Sequence, residues 1–171
     1  MRLVAASMEL PNGLEELIAD LGGGENGFGG TPVANGEMTV VEYVQRCIDM
    51  TDPGKVRADM VPQTVFWALD EAGQAVGIVR MRHYLNDRLR ERGGHIGYYV
   101  KRNQRGKGYG REMLRLGLLE LRKLGEKRAM LTVNMDNIDS IHVIEANGGM
   151  LESVGKEPDG KAFGRYWVEL E

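Results

Sequence analysis

Apolar and polar positions change period several times along the chain, and each change marks an element. Leu10, Leu14, Leu17, Ile18 and Leu21 share one helical face and predict a first amphipathic helix. Thr39 and Glu42 form a capping-box pattern ahead of the stripe Val40, Val41, Val44, Cys47 and Ile48. That predicts a second helix, stopped by Asp52-Pro53-Gly54. Between the two, residues 22–30 are so rich in glycine that a mobile loop is expected. From Thr64 the pattern turns to strands, with 64–69 and 74–82 flanking a turn at Asp70-Glu71-Ala72-Gly73, followed by a strand over 95–100. Residues 108–124 place Gly110, Met113, Leu114, Gly117, Leu118, Leu121 and Leu124 on one face of a long helix that ends at Gly125. A strand over 128–135, a short helix over 140–146 and a closing hairpin of 150–154 with 163–170 complete the chain. The strand–helix–strand order in the middle implies a parallel pair, and the flanking hairpins imply antiparallel ones. The expected class is α/β (α+β) with a mixed sheet.

Composition adds limits. With 171 residues, 42% hydrophobic and 27% charged, the chain suits one domain spanning 1–171, with a variable helical part at 1–60 and a core at 61–171. Cys47 is the single cysteine, so no intrachain disulfide forms, and with no secretory start the expected location is cytoplasmic. Cys47 falls on the apolar stripe and is expected in the core. His83, His95 and His142 are scattered, so no metal site is expected. No apolar run approaches membrane-spanning length, and no membrane partner is expected. Charge is uneven: residues 1–60 carry 4 basic and 10 acidic side chains, whereas 80–128 carry 15 and 5. That basic stretch draws anions. It offers only Tyr84 for base stacking over 80–92, so nucleic acid is not the expected partner.

The densest chemistry lies at Val100-Lys101-Arg102-Asn103-Gln104-Arg105-Gly106-Lys107-Gly108-Tyr109-Gly110-Arg111, where a strand ends, a basic glycine turn follows and a helix begins. Glycines at alternate positions let backbone N–H groups approach a ligand, and a helix start adds unpaired donors and the positive end of its dipole. A pyrophosphate is the natural guest. The spacing matches neither the nucleotide-triphosphate loop nor the dinucleotide fingerprint. It is R-x-x-G-x-G, from Arg105 through Gly110.

With this pattern the chain resembles the GNAT acetyltransferase superfamily, over roughly 61–171, and within it a bacterial branch of predicted acetyltransferases. His95-Ile96-Gly97-Tyr98-Tyr99-Val100 resembles the strand before the family's pyrophosphate loop. Asn137-Ile138-Asp139-Ser140 with Glu145-Ala146-Asn147-Gly148-Gly149 resembles its later motif. The resemblance implies a mixed sheet splayed between 95–100 and 128–135, with acetyl-CoA as cosubstrate and its pantetheine arm in the gap. It implies that Val100 offers backbone groups to the arm and the acetyl oxygen. Arg105, Gly106, Lys107, Gly108, Tyr109 and Gly110 then hold the pyrophosphate, and Asn137 and Ser140 face the arm. The implied reaction is direct attack of a primary amine, carried by a small molecule or a peptide, on the thioester in a ternary complex. The acceptor would arrive over the first helices and 83–94, where an acidic lining would suit a cationic amine. A non-catalytic acyl-CoA sensor is the alternative, and the final hairpin offers an edge for a homodimer.

The reaction needs a base, an oxyanion site and a proton for the thiolate. A lysine-like amine is neutral once in ~2,500 molecules at pH 7, an α-amine about once in six. His95, where relatives often carry Glu, is the expected base, and the candidate acids are Tyr98, Tyr99 and Ser140. Many family members place the acid as a Tyr in the helix after Asn137, where this chain has Ile144.

Overall fold

Residues 65–69 are apolar at every position because β4 is buried on both faces, and the rest of the fold is arranged around that strand. The computed structural model describes residues 1–171. In order it runs β1 (Arg2–Ala5), α1 (Leu14–Leu21), β2 (Gly24–Glu25), β3 (Phe28–Gly29), α2 (Val40–Asp49), β4 (Gln63–Leu69), β5 (Ala75–Arg82), α3 (Asp87–Glu91), β6 (Ile96–Val100), α4 (Tyr109–Lys123), β7 (Arg128–Asn134), α5 (Ile138–Ala146), β8 (Met150–Lys156) and β9 (Ala162–Glu169). No helix is long and apolar enough to cross a membrane.

The two faces of the sheet have separate cores. On one, Leu14, Leu17, Ile18 and Leu21 of α1 and Tyr43, Val44 and Cys47 of α2 pack on Val65, Trp67, Leu69, Ile78 and Tyr99. On the other, Met113, Leu114, Leu118 and Leu121 of α4 pack on Phe66, Ala68, Val79, Met81 and Ile96, and onward to β7 and β9. Each such aliphatic side chain stabilises the fold by about 1.5–3 kcal/mol. Cys47 is fully buried, as its place on the stripe predicts. The capping box of α2 is complete: Glu42 N–H donates to Thr39 Oγ1 (3.2 Å) and Thr39 N–H donates to Glu42 Oε2 (3.0 Å).

The strands divide into a four-stranded sheet, β1-β4-β5-β6, and a three-stranded sheet, β7-β9-β8, and every ladder is antiparallel. The gap expected between 95–100 and 128–135 is therefore present. It is wide enough that β6 and β7 form no parallel ladder at all. Backbone contact to β7 comes just before β6, where the His95 N–H donates to the Met130 carbonyl (2.7 Å) and Gly94 bridges Leu131. Gly94 permits that approach: a Cβ there would run into the Met130 carbonyl.

Three elements depart from the sequence pattern. β1 adds an edge strand to β4, pairing Arg2 with Leu69 and Ala5 with Phe66, so 1–60 is not wholly helical. Residues 22–30 are an ordered hairpin rather than a loose loop, because Asn26 (φ 49°) and Gly27 (φ 81°) form the tight turn between β2 and β3. A short α3 interrupts 83–94, capped where Leu89 N–H donates to Asn86 Oδ1 (2.9 Å).

Candidate active site

The gap between β6 and β7 opens into a cleft of about 850 Å³. Its first wall is the free edge of β6. Hydrogen bonds from Arg82 N–H to the His95 carbonyl and from Lys101 N–H to the Val76 carbonyl fix the alternation along β5 and β6. In an antiparallel ladder the intervening residues turn their backbone groups the other way, so Tyr98 and Val100 aim N–H and C=O at the cleft. Val100 lines it, and its carbonyl accepts from Arg105 Nε (3.0 Å).

The glycine turn forms the outer end. A 3₁₀ turn at Arg102–Gln104 leads into Gly106 (φ 76°) and Gly108 (φ 81°), both in the left-handed region that glycine enters without strain. Gly108 caps α4. From Gly106 through Arg111 no backbone N–H has a hydrogen-bond partner within the protein, and Gly106, Gly108, Tyr109, Gly110 and Arg111 line the cleft. A run of unpaired donors at a helix start is the arrangement an anionic group requires. This row of donors suits a pyrophosphate.

Across the gap, α5 begins at Asn137, whose Oδ1 accepts from the Ser140 N–H (3.3 Å). Ser140 Oγ lies 2.5 Å from the Tyr98 hydroxyl, joining β6 to α5 across the gap. Burial pushes the Tyr98 phenol up to about 12, with the Ser140 hydrogen bond opposing, so it stays protonated near neutrality. Tyr99 is engaged elsewhere: its hydroxyl donates to Asp20 Oδ2 (2.7 Å), and burial, then the Asp20 contact, raises it to about 12. Ile144 lines the cleft with no hydroxyl to offer.

Nine of the site residues expected from sequence meet at this cleft: Tyr98, Val100, Arg105, Gly106, Gly108, Tyr109, Gly110, Asn137 and Ser140. Two do not line it. Lys107 donates to Gln104 Oε1 (2.8 Å). His95 is 2% exposed; its Nδ1 accepts from the Met130 N–H (2.9 Å) and its Nε2 lies 3.6 Å from Glu126. Burial chiefly, then the charges of Arg82 and Arg90, lower its pKa to about 4. The imidazole pins the closed end of the gap and does not line the cleft.

Sequence reasoning missed the roof and the charge of the acceptor side. The β2–β3 hairpin straps the opening: Glu25 pairs with Arg105 (2.5 Å), Phe28 stacks on Tyr99 at 5.9 Å, and Arg80 lies 4.1 Å over the Phe28 ring and donates to the Gly29 carbonyl (2.7 Å). The Asn26-Gly27 pair was the available signal. The lining is not predominantly acidic as expected: Glu25 and Asp139 face the cleft, outnumbered by Arg80, Arg82, Arg88, Arg92, Arg105 and Arg111. The N-terminal acids Glu15, Glu16 and Glu42 are exposed, because the buried faces of α1 and α2 are apolar.

Comparisons with known proteins agree with this geometry. The chain superposes on an acetyltransferase of the GNAT family from Streptococcus pneumoniae with TM-score 0.66 and 16% identity, covering 99% of each chain. On a chimera of the spermidine N-acetyltransferase SpeG from Vibrio cholerae and hSSAT it gives 0.67 and 17% identity, covering 99% of this chain and 96% of that one. On yncA from Salmonella typhimurium, solved with its cofactor acetyl-CoA, it gives 0.52 and 20%, covering 64% and 65%. No curated protein sequence matches it. The sequence model of the acetyltransferase (GNAT) family matches residues 40–149, from the start of α2 through the turn after α5, and the chain belongs to that family.

Proposed function

We propose that this protein transfers the acetyl group of acetyl-CoA to a primary amine by direct attack in a ternary complex. The observation that carries the reading is the run of unpaired N–H groups at Gly106–Arg111 opening onto a gap that holds the Tyr98–Ser140 pair. Acetyl-CoA supplies a thioester carbonyl and a thiolate leaving group. Gly106, Gly108, Tyr109 and Gly110 hold the pyrophosphate through their backbone, with Arg105 beside them. The Val100 and Tyr98 N–H groups stand where an oxyanion needs donors, fixed in place by the ladder to β5. Tyr98 donates a proton toward the departing sulfur and is re-protonated through Ser140. Its hydroxyl, reaching across from β6, serves where many relatives use a tyrosine on the following helix. The amine nitrogen forms the new C–N bond as the C–S bond breaks, and one proton passes in net from amine to thiolate. His95 takes no part. No acyl-enzyme is needed: Cys47 is fully buried in the core beneath α1 and α2 and lines no part of the cleft.

Intact-mass measurement after incubation with acetyl-CoA alone tests the direct route. The protein mass stays unchanged, and steady-state velocities give intersecting patterns for the two substrates. A stable or burst-phase acetylated protein, with parallel velocity patterns, overturns direct attack.

A further inference from the structure

The far end of the cleft, beyond the reacting centre, is built from arginines. Arg80 stands opposite Gly97 and Arg82 opposite His95 on β5, Arg88 projects from α3, and all three line the cleft. This end lies about 10–17 Å along β6 from Val100, taking three to five residues at strand rise, and so away from the pyrophosphate turn. Arg80 is committed to the Gly29 carbonyl and the Phe28 ring. Arg92 is fully occupied, with Glu157 (2.6 Å), Thr132 (2.8 Å) and Asn134 (2.7 Å). Arg82 is different. It is half-buried and makes only two long contacts, to the Gly93 and Gly94 carbonyls (3.3 and 3.4 Å), and no acid pairs with it. Arg88 makes no ion pair either; Asp59, the acid whose charge it feels, is already held by Arg57 at 2.7 Å. A partly desolvated guanidinium beside two like charges, without a counter-ion, is unfavourable unless a ligand supplies one. Burial first, then the charges of Arg80 and Arg88, lower the Arg82 pKa to about 10, which still leaves it charged at pH 7.

Resting on the acetyltransferase reading, we infer that the acceptor is a small amine carrying a carboxylate, and that Arg82 and Arg88 receive that carboxylate. The planar fork of arginine matches a carboxylate bidentately, which fixes the amine's orientation toward the thioester. The same positive field disfavours the ammonium form of the bound amine, taking over part of the work His95 is not placed to do. A polyamine has no group for these arginines to bind and is repelled by them.

The test is calorimetric titration of the CoA-saturated protein with the N-acetyl derivatives of the common amino acids, each beside its C-terminal amide, in wild type, Arg82→Gln and Arg88→Gln. At least one acid binds about 10- to 100-fold more tightly than its amide, as expected for hydrogen bonds to a charged group. Arg82→Gln abolishes that preference and Arg88→Gln reduces it, while both variants keep wild-type affinity for acetyl-CoA, which shows that they fold. Equal affinity for acids and amides, no binding by any acid, or a preference that survives both substitutions overturns the inference. Because binding is read, its failure is separable from that of the enzyme reading. An acid-selective site in a protein that transfers no acetyl group removes the enzyme and keeps the anion site. Acetylation of spermidine or amino-acid amides as fast as of the acids does the reverse.

Discussion

Valine at Gly108 separates the ligand-binding role of the glycine turn from its folding role. The residue sits at φ 81°, and no atom lies within 4 Å of the position a Cβ would take. The cost to the fold is therefore the left-handed backbone alone, about 1–2 kcal/mol. For a chain of this length that lowers Tm by roughly 2–8 °C. The effect on acetyl-CoA is larger. A branched side chain at the mouth of the cleft holds the pyrophosphate away from the N–H groups of Gly108 and Tyr109, and hydrogen bonds to a charged group are worth about 1.5–3 kcal/mol each. Losing two weakens binding by ~100-fold or more. Gly160→Val is the matched control: its φ is 89°, its Cβ position is equally open, and it lies in the turn between β8 and β9, outside the cleft. It shows the same fall in Tm and unchanged acetyl-CoA affinity by calorimetry. Acetyl-CoA affinity within about threefold of wild type in a folded Gly108→Val protein would refute the cradle.

Other outcomes follow from the same geometry. Tyr98→Phe keeps the ring and loses the proton, so kcat falls by about 100-fold or more while acetyl-CoA affinity by calorimetry stays constant. His95→Ala leaves the Met130 N–H unpaired and lowers unfolding free energy in denaturant titrations by about 1–3 kcal/mol, without changing the pH profile of turnover. In the native protein the folded His95 pKa of about 4 lies below the ordinary 6.5, so the unfolded chain takes up a proton in that window that the folded one refuses. Stability therefore falls as pH drops from 6.5 toward 4, and His95→Asn, which keeps an acceptor for Met130, flattens that part of the Tm profile. Glu25→Gln loosens the strap from Arg105: amide exchange over residues 24–29 accelerates while global stability changes by less than about 1 kcal/mol, since both side chains are partly exposed.

Elements set by local signals were legible in the sequence. The capping box of α2, the turn at Asp70–Gly73, the stripe of α4 and the strand–glycine–helix passage around Gly108 all lie where the pattern puts them, because each is decided within one or two turns of chain. What was hidden depends on pairing across distance. β1 is too short to announce itself and is a strand only because β4 offers an edge. His95 looked like a base by its position before the glycine turn, yet the wide gap between β6 and β7 needs a pin at its closed end, and the imidazole supplies it. Acids of the N-terminal part were expected near the acceptor, but helix amphipathicity turns Glu15, Glu16 and Glu42 outward, and Asp20 is held by the Tyr99 hydroxyl and the Arg102 N–H. The arginines of β5 and α3 line the cleft instead, which pairing across distance decides.

Acetyl transfer to nitrogen is read out by thiol release from acetyl-CoA across a panel of amino acids, their amides, polyamines and peptide N-termini, with mass analysis of the products. Release that depends on an acceptor is expected, with one acetyl group gained on the amine. Tight acetyl-CoA binding with no release above the amine-free rate for any member would contradict it and leave a protein that binds the thioester without using it.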